Sequence, residues 1–248
     1  MRTTIIYLKF IALVLLVAFQ KDAFSQTYTV YQAGTTQIVL TPSMPSASTY
    51  VIQPTDAVEW KNTTNATIKN TLGTANVTIV PAELDAGLNT WEVKVKSAAS
   101  GAEACWSDPT TITIYKLPTL DITLSAATDP EYCDNITASS ALTVTVAPTA
   151  GSLALPAGVT INYTWAVTKD GSPLATSIGS HVVSAVAPWT DVFTVTTTNY
   201  GIYTFSVKAA YAVSSGTLKS DYEKSLAVGD IKTIKVYQTP SAPTIAVQ

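Results

Sequence analysis

Apolar and polar side chains alternate one by one through most of this chain. The alternation is plain in "TWEVKVKS" (90–97), "ALTVTVAP" (141–148), "YTFSVKAAYA" (203–212) and "IKTIKVYQ" (231–238). A period of two puts successive side chains on opposite faces of a strand, so each stretch predicts a β-strand with one face toward a core. Further stretches of this kind fill the intervals: "TYTVYQ", "TQIVLT", "AVEWKN", "ATIKN", "NVTIV", "TTITIYK", "LDITLS", "TINYTWAVTKDG" and "DVFTVTTT". Gly, Pro, Asn, Asp and Ser punctuate them at a spacing of about ten residues, the mark of a β-sandwich or barrel. No stretch sustains a helical period. Abundant threonine and valine fit a pleated, half-buried surface. The pattern predicts an all-β chain.

The pattern also repeats. "AVEWKN" matches "NYTWAV", setting Trp60 opposite Trp165. "LNTWEVKVKSA" matches "YGIYTFSVKAA", setting Trp91 opposite Tyr203 and Lys96 opposite Lys208. "TITIYKLPT" matches "TIKVYQTPSAPT", setting Tyr115 opposite Tyr237. A strand tryptophan, a later strand opened by an aromatic residue and then a closing strand is the order found in immunoglobulin-like sandwiches. There the tryptophan fills the space between sheets and the later aromatic occupies the tyrosine-corner position. Trp60, Trp91, Trp165 and Tyr203 are therefore the expected core markers. The boundary is expected at Leu117-Pro118, because proline leaves a strand ladder and holds its predecessor extended. The expected organisation is a first domain over 26–117, a second over 118–240 and a linker-like tail over 241–248.

Residues 1–25 read differently. Arg2 and Lys9 precede an apolar run from Phe10 to Phe19, and Ala23-Phe24-Ser25 carries small residues where a signal peptidase reads. The run is too short for a membrane span, which needs ~20 residues. A secretory signal cleaved after Ser25 is expected, followed by a body without a second apolar span.

With the aromatic pairs, the "AFSQ" region and the "VYQTPSAPTI" linker, the chain resembles the tandem Ig-like and PKD-like β-sandwich repeats of secreted and cell-surface proteins of Bacteroidota. The resemblance spans most of residues 27–248. It implies an exported protein with a structural, adhesive or assembly role. Many such repeats carry one early and one late cysteine. Here the first half has only a late one, Cys105, and the second only an early one, Cys133, so the usual pairing is not implied. A bridge between the two, two thiols, or pairing with another molecule all remain open on sequence.

Charge narrows the chemistry. The chain has 14 Lys and Arg against 17 Asp and Glu; loss of Arg2, Lys9, Lys21 and Asp22 with the signal leaves 11 basic and 16 acidic residues. Arg2 is the single arginine. An acidic body without arginine argues against nucleic-acid binding and against phosphoryl transfer, both of which lean on fixed cationic groups. One histidine and two separated cysteines assemble no zinc set, and no GxSxG elbow is present. His181 is read as a polar residue at a strand start. Asp129, Glu131 and Asp134 in "TDPEYCDN" are weak Ca²⁺ candidates, more simply a solvated turn. Trp106 ("ACWSDP") and Trp189 ("VAPWTD") stand beside turns and are the binding candidates, since exposed aromatic rings stack on sugars or anchor interfaces. No catalytic set and no cofactor site is expected. The leading expectation is a non-enzymatic surface or envelope protein with a protein partner. A carbohydrate-binding accessory protein is the first alternative, and a hydrolase with an unrecognised site the second.

Overall fold

A computed structural model describes residues 28–46, 48–98, 105–136, 139–149, 155–174, 178–219 and 222–245. The expected signal at 1–25 and the last three residues of the tail lie outside them. Two compact units emerge, the first running to Leu117 and including 216–220, the second formed by 118–215 and 221–248. Among the described residues both are built of β-strands, with one short 3-10 turn each, Pro81–Glu83 and Val228–Asp230.

The strands follow the alternation. The first unit holds β1 (Tyr28–Gln32), β2 (Ile38–Leu40), β3 (Ala57–Asn62), β4 (Ile68–Leu72), β5 (Val77–Ile79), β6 (Gly87–Lys96) and β7 (Thr110–Lys116). The second holds β8 (Leu120–Leu124), β9 (Glu131–Cys133), β10 (Ser140–Pro148), β11 (Val159–Lys169), β12 (Ser172–Pro173), β13 (Gly179–Val183), β14 (Trp189–Val195) and β15 (Gly201–Val213). After β15 come β16 (Thr217–Lys219), β17 (Glu223–Ser225) and β18 (Lys232–Tyr237).

In the second unit one sheet has the order β13-β14-β10-β8 and the other β12-β11-β15-β18-β9, with β17 also on β15. This is the immunoglobulin-like division into an ABED sheet and a CFG sheet. Side chains from both inner faces meet between them: Leu142, Val144, Phe193 and Val195 from one side, Ile161, Phe205, Val207 and Ile234 from the other, all buried. Tyr203 is buried near the start of β15, and its hydroxyl donates to the Asn199 carbonyl at 2.7 Å, a tyrosine corner.

The first unit pairs β2 with β5 and sets them against a sheet of order β16-β1-β7-β6-β3-β4. Trp91, Trp60, Ile38, Val58, Ile79 and Ile114 form its buried cluster. Asp56 closes one end. Its carboxylate accepts from the Tyr50 hydroxyl (2.6 Å), the Gln53 amide (2.7 Å) and the Ala98 amide (2.9 Å), and the Tyr50 bond leads in holding its pKa below the ordinary carboxylate value. The chain is thus two immunoglobulin-like β-sandwich units in tandem.

Two features depart from the sequence reading. The three residues of β16 come from the second half of the sequence but add to the edge of β1, in parallel register Val30 to Thr217. Gly216 permits the approach: its φ is +79°, and a Cβ there would stand 2.8 Å from the Thr29 carbonyl oxygen. The second departure is Trp165, which is only half-buried. The centre of the second core is Phe205 and Phe193, with ring centroids 5.8 Å apart. Trp165 packs on the outer side of Phe193, at 5.1 Å.

Candidate functional site

The least expected chemistry lies inside the second sandwich. On β14 the alternation turns Asp191, Phe193 and Val195 inward, all buried. A carboxylate thus occupies a position whose neighbours on the same face are apolar. A buried charge is stable only when paired or hydrogen-bonded. Trp165 on β11 donates its indole N–H to Asp191 Oδ2 at 2.8 Å. His181 on β13 sets Nδ1 against the same oxygen at 2.9 Å. The His181 ring is half-exposed, and its Nδ1 contact with Asp191 fixes which way Nε2 faces. Asp191 Oδ1 and the Tyr163 hydroxyl are buried without a hydrogen-bond partner.

Tyr163 comes from β11, two residues before Trp165 on the same face. Burial, and secondarily the charge of Asp191, push its hydroxyl up to about 12. Below pH 10 the tyrosine is protonated in both folded and unfolded chains, so its stabilising effect is complete. Between pH 10 and 12 the unfolded chain ionises first and that contribution is lost. Burial also raises Tyr132, so the second unit has two such groups. Tyr163→Phe is expected to flatten the alkaline loss of stability of this unit. Its stability at neutral pH should hold or rise, since the change removes an unpaired hydroxyl. Tyrosinate absorbance and circular dichroism followed from pH 8 to 12 check this.

Chemically, the cluster is an oriented imidazole at a sheet edge. It can accept or pass a proton and can hydrogen-bond an incoming group. His181 stands within β13 against a buried carboxylate, a contact its reading as a polar strand start did not include. Asp191 and Tyr163 were missed altogether. The signal lay in the phase of "WTDVFTV", which puts the aspartate on the same side as Phe193 and Val195.

The other expected residues fall elsewhere. Glu131 meets Lys235 at 3.3 Å and the Tyr237 hydroxyl at 3.1 Å. Asp134 Oδ1 accepts from both the amide (2.9 Å) and the hydroxyl (2.5 Å) of Thr239, which holds its pKa low. Asp129 is exposed, and among the described residues no group of three metal-ligating side chains occurs. Glu131 and Asp134 hold the exit of β18, and Asp129 stands apart from them in solvent. Trp189 follows the bend at 185–188 and opens β14, where it pairs with Val146 and is half-buried. Trp106 is 45% exposed, with Lys96 Nζ over its ring at 5.7 Å. Its neighbour Ser107 lines a cleft of about 330 Å³ with Met44, Val93 and Val95. Cys105 and Cys133 are thiols, not bridged to each other. No helix among the described residues is long and apolar enough to cross a membrane.

No protein-family model matches the chain, and no curated protein matches it. Solved structures do. The fibronectin(III)-like modules of Clostridium thermocellum CbhA are 13% identical, with 91% of this chain and 97% of that one covered and a TM-score of 0.38. The N-terminal eight Ig domains of Down Syndrome Cell Adhesion Molecule are 15% identical, covering 86% of this chain and 24% of that one at a TM-score of 0.40. The chicken CNTN1 FN1-FN3 domains are 12% identical, covering 85% and 64% at a TM-score of 0.37. At such identities and scores the likeness carries no argument about activity, and the fold rests on the strand order described above.

Proposed function

We propose that this chain is an exported, non-enzymatic protein of the cell surface or envelope, whose immunoglobulin-like units serve adhesion or assembly by binding other proteins. A place among the Bacteroidota surface repeats belongs to the same reading. The observation that carries it is the use made of the carboxylates most deeply engaged in the fold. Asp56 ties a loop to the end of β6, Asp134 anchors the exit of β18, and Asp191 orients Trp165 and His181. These groups organise the scaffold, as expected where function lies in the presented surface. The test is a purified chain assayed on ester, peptide and glycoside panels beside His181→Ala, with surface cross-linking in the native cell. The reading expects no turnover that depends on His181, together with cross-links to one defined envelope component. Turnover abolished by His181→Ala would establish a hydrolase instead.

A carbohydrate-binding reading has one specific observation in its favour, the 45% exposed Trp106 ring with Lys96 Nζ over it. Retention on a glycan column that Trp106→Ala abolishes would favour it.

A further inference from the structure

Every open sheet must manage the unpaired backbone at its ends, and charge or proline at an end strand is the usual guard. The three larger sheets have six end strands among the described residues. Lys219 lies on β16, Lys69 on β4, Asp121 on β8, Pro173 on β12 and Glu131 on β9. The sixth, β13, reads Gly-Ser-His-Val-Val and has no guard. Val182 on it is 71% exposed and Val183 45%, and Val186 just beyond is 70% exposed. The register shows which backbone groups are on offer. The Ser184 amide donates to Thr190 and the Thr196 amide to Ile178. In an antiparallel pair hydrogen-bonded and non-hydrogen-bonded positions alternate, so the N–H and C=O of His181 and Val183 point away from β14.

The same chain contains a segment with the matching requirement. After Tyr237 it runs through Thr239 and two prolines into Thr-Ile-Ala-Val-Gln, 244–248. That segment is uncharged, and alternation places Ile245 and Val247 on one side. Residues 241–245 are exposed, Ile245 by 91%. By composition 244–248 suits a strand, and a single strand needs a neighbour to satisfy its hydrogen bonds.

We propose that β13 is a docking edge for residues 241–248 of a second copy of this chain, which adds as a further strand alongside His181 and Val183. The geometry favours a second copy over the chain's own tail. The contacts of Trp165 and His181 with Asp191 place β13 and β14 over the β11 side of the sandwich. The tail leaves on the opposite side. β18 pairs with β9, and Thr239 is held by Asp134 just past β9. Ile245 and Val247 of the incoming strand would face the half-exposed ring of His181 and extend the apolar inner layer over it. The contact is heterologous, tail to edge, so it propagates from copy to copy and closes only if the rotation allows a ring. Main-chain bonds supply the affinity, and the fit of Ile245 and Val247 against the His181 ring supplies the selectivity. The inference names a partner for the assembly role proposed above. It rests on that reading only for its place in the cell, since the pairing is tested on purified protein.

The experiment compares the chain from residue 26 with a deletion of 241–248 and with Val182→Lys, a change at an exposed position that places a charge beside the edge. Sedimentation equilibrium is expected to show concentration-dependent association for the parent and monomers for both variants. A labelled peptide of residues 241–248 should bind the deletion variant and slow amide exchange at His181 and Val183. Val182→Lys on the deletion background should weaken that binding roughly tenfold or more, the scale of one uncompensated charge at a pairing edge. Association that survives the deletion overturns the tail as occupant. Peptide binding that leaves His181 and Val183 unprotected, or is indifferent to Val182→Lys, overturns β13 as the site. A monomeric parent whose β13 amides lose protection on deletion overturns the second copy in favour of the chain's own tail. A monomeric parent together with no peptide binding overturns the whole proposal. Absence of an envelope partner in cells would count against the proposed function and leave these results unchanged.

Discussion

Trp91→Ala is expected to remove about 3–5 kcal/mol from the first unit, the usual scale for truncating a fully buried large aromatic residue. Trp91 is completely enclosed on the inner face of β6, among Ile38, Val58, Ile79 and Ile114. Residues from both layers of the unit line its site, so no single strand can move in to fill the space, and a cavity remains. Trp91→Phe should cost much less than the lost volume implies. The indole N–H of Trp91 is buried without a partner, and phenylalanine removes that unmet donor. Chemical denaturation of full chain, wild type and both variants, followed by amide exchange in each unit, measures the difference.

Phe205→Ala should have a comparable effect on the second unit, again about 3–5 kcal/mol. Phe205 is fully buried on β15, and its ring lies 5.8 Å from Phe193 at an interplanar angle of 56°. Phe193 in turn meets Trp165 at 5.1 Å and 50°. The three rings form a ladder from the core centre to the Asp191 cluster, so the truncation is felt at the sheet edge too. With Phe193 free to drop into the cavity, Trp165 loses the surface that aims its N–H at Asp191. The same variant should therefore loosen His181, seen as faster imidazole motion in nuclear magnetic resonance relaxation. Trp165→Ala is expected to cost less than Phe205→Ala, because its ring is only half-buried and forms the outer rung.

Much of this architecture is legible in the alternation. Trp60 and Trp165 do lie on corresponding strands, β3 and β11; Trp91 and Tyr203 on β6 and β15; Tyr115 and Tyr237 on β7 and β18. Period-two patterning and aromatic spacing are local signals, and they survive into the fold because both sheets of each unit demand an apolar inner face. What the alternation hides is pairing. "TLK" at 217–219 is too short to carry a period, and it becomes a strand only because β1 has an edge to offer. The Asp191 cluster was hidden for a different reason. An aspartate at the head of the strand "DVFTVTTT" gives no sign of its partners, since Trp165 and His181 are separated from it by 26 and 10 positions. The acidic trio near Cys133 was visible as charge, but its partners Lys235, Tyr237 and Thr239 lie about a hundred residues on, brought close only by the parallel pairing of β9 with β18.

The central claim is that the chain forms two immunoglobulin-like units whose membership follows sheet pairing rather than sequence order. Hydrogen exchange read by mass spectrometry on full-length Trp91→Ala tests it most directly. The account predicts faster exchange across β1 to β7 and also at 217–219, with β10, β14, β15 and β18 as protected as in the wild type. Equal loss of protection in all of these strands would contradict it, as would 217–219 keeping its protection while β1 loses it.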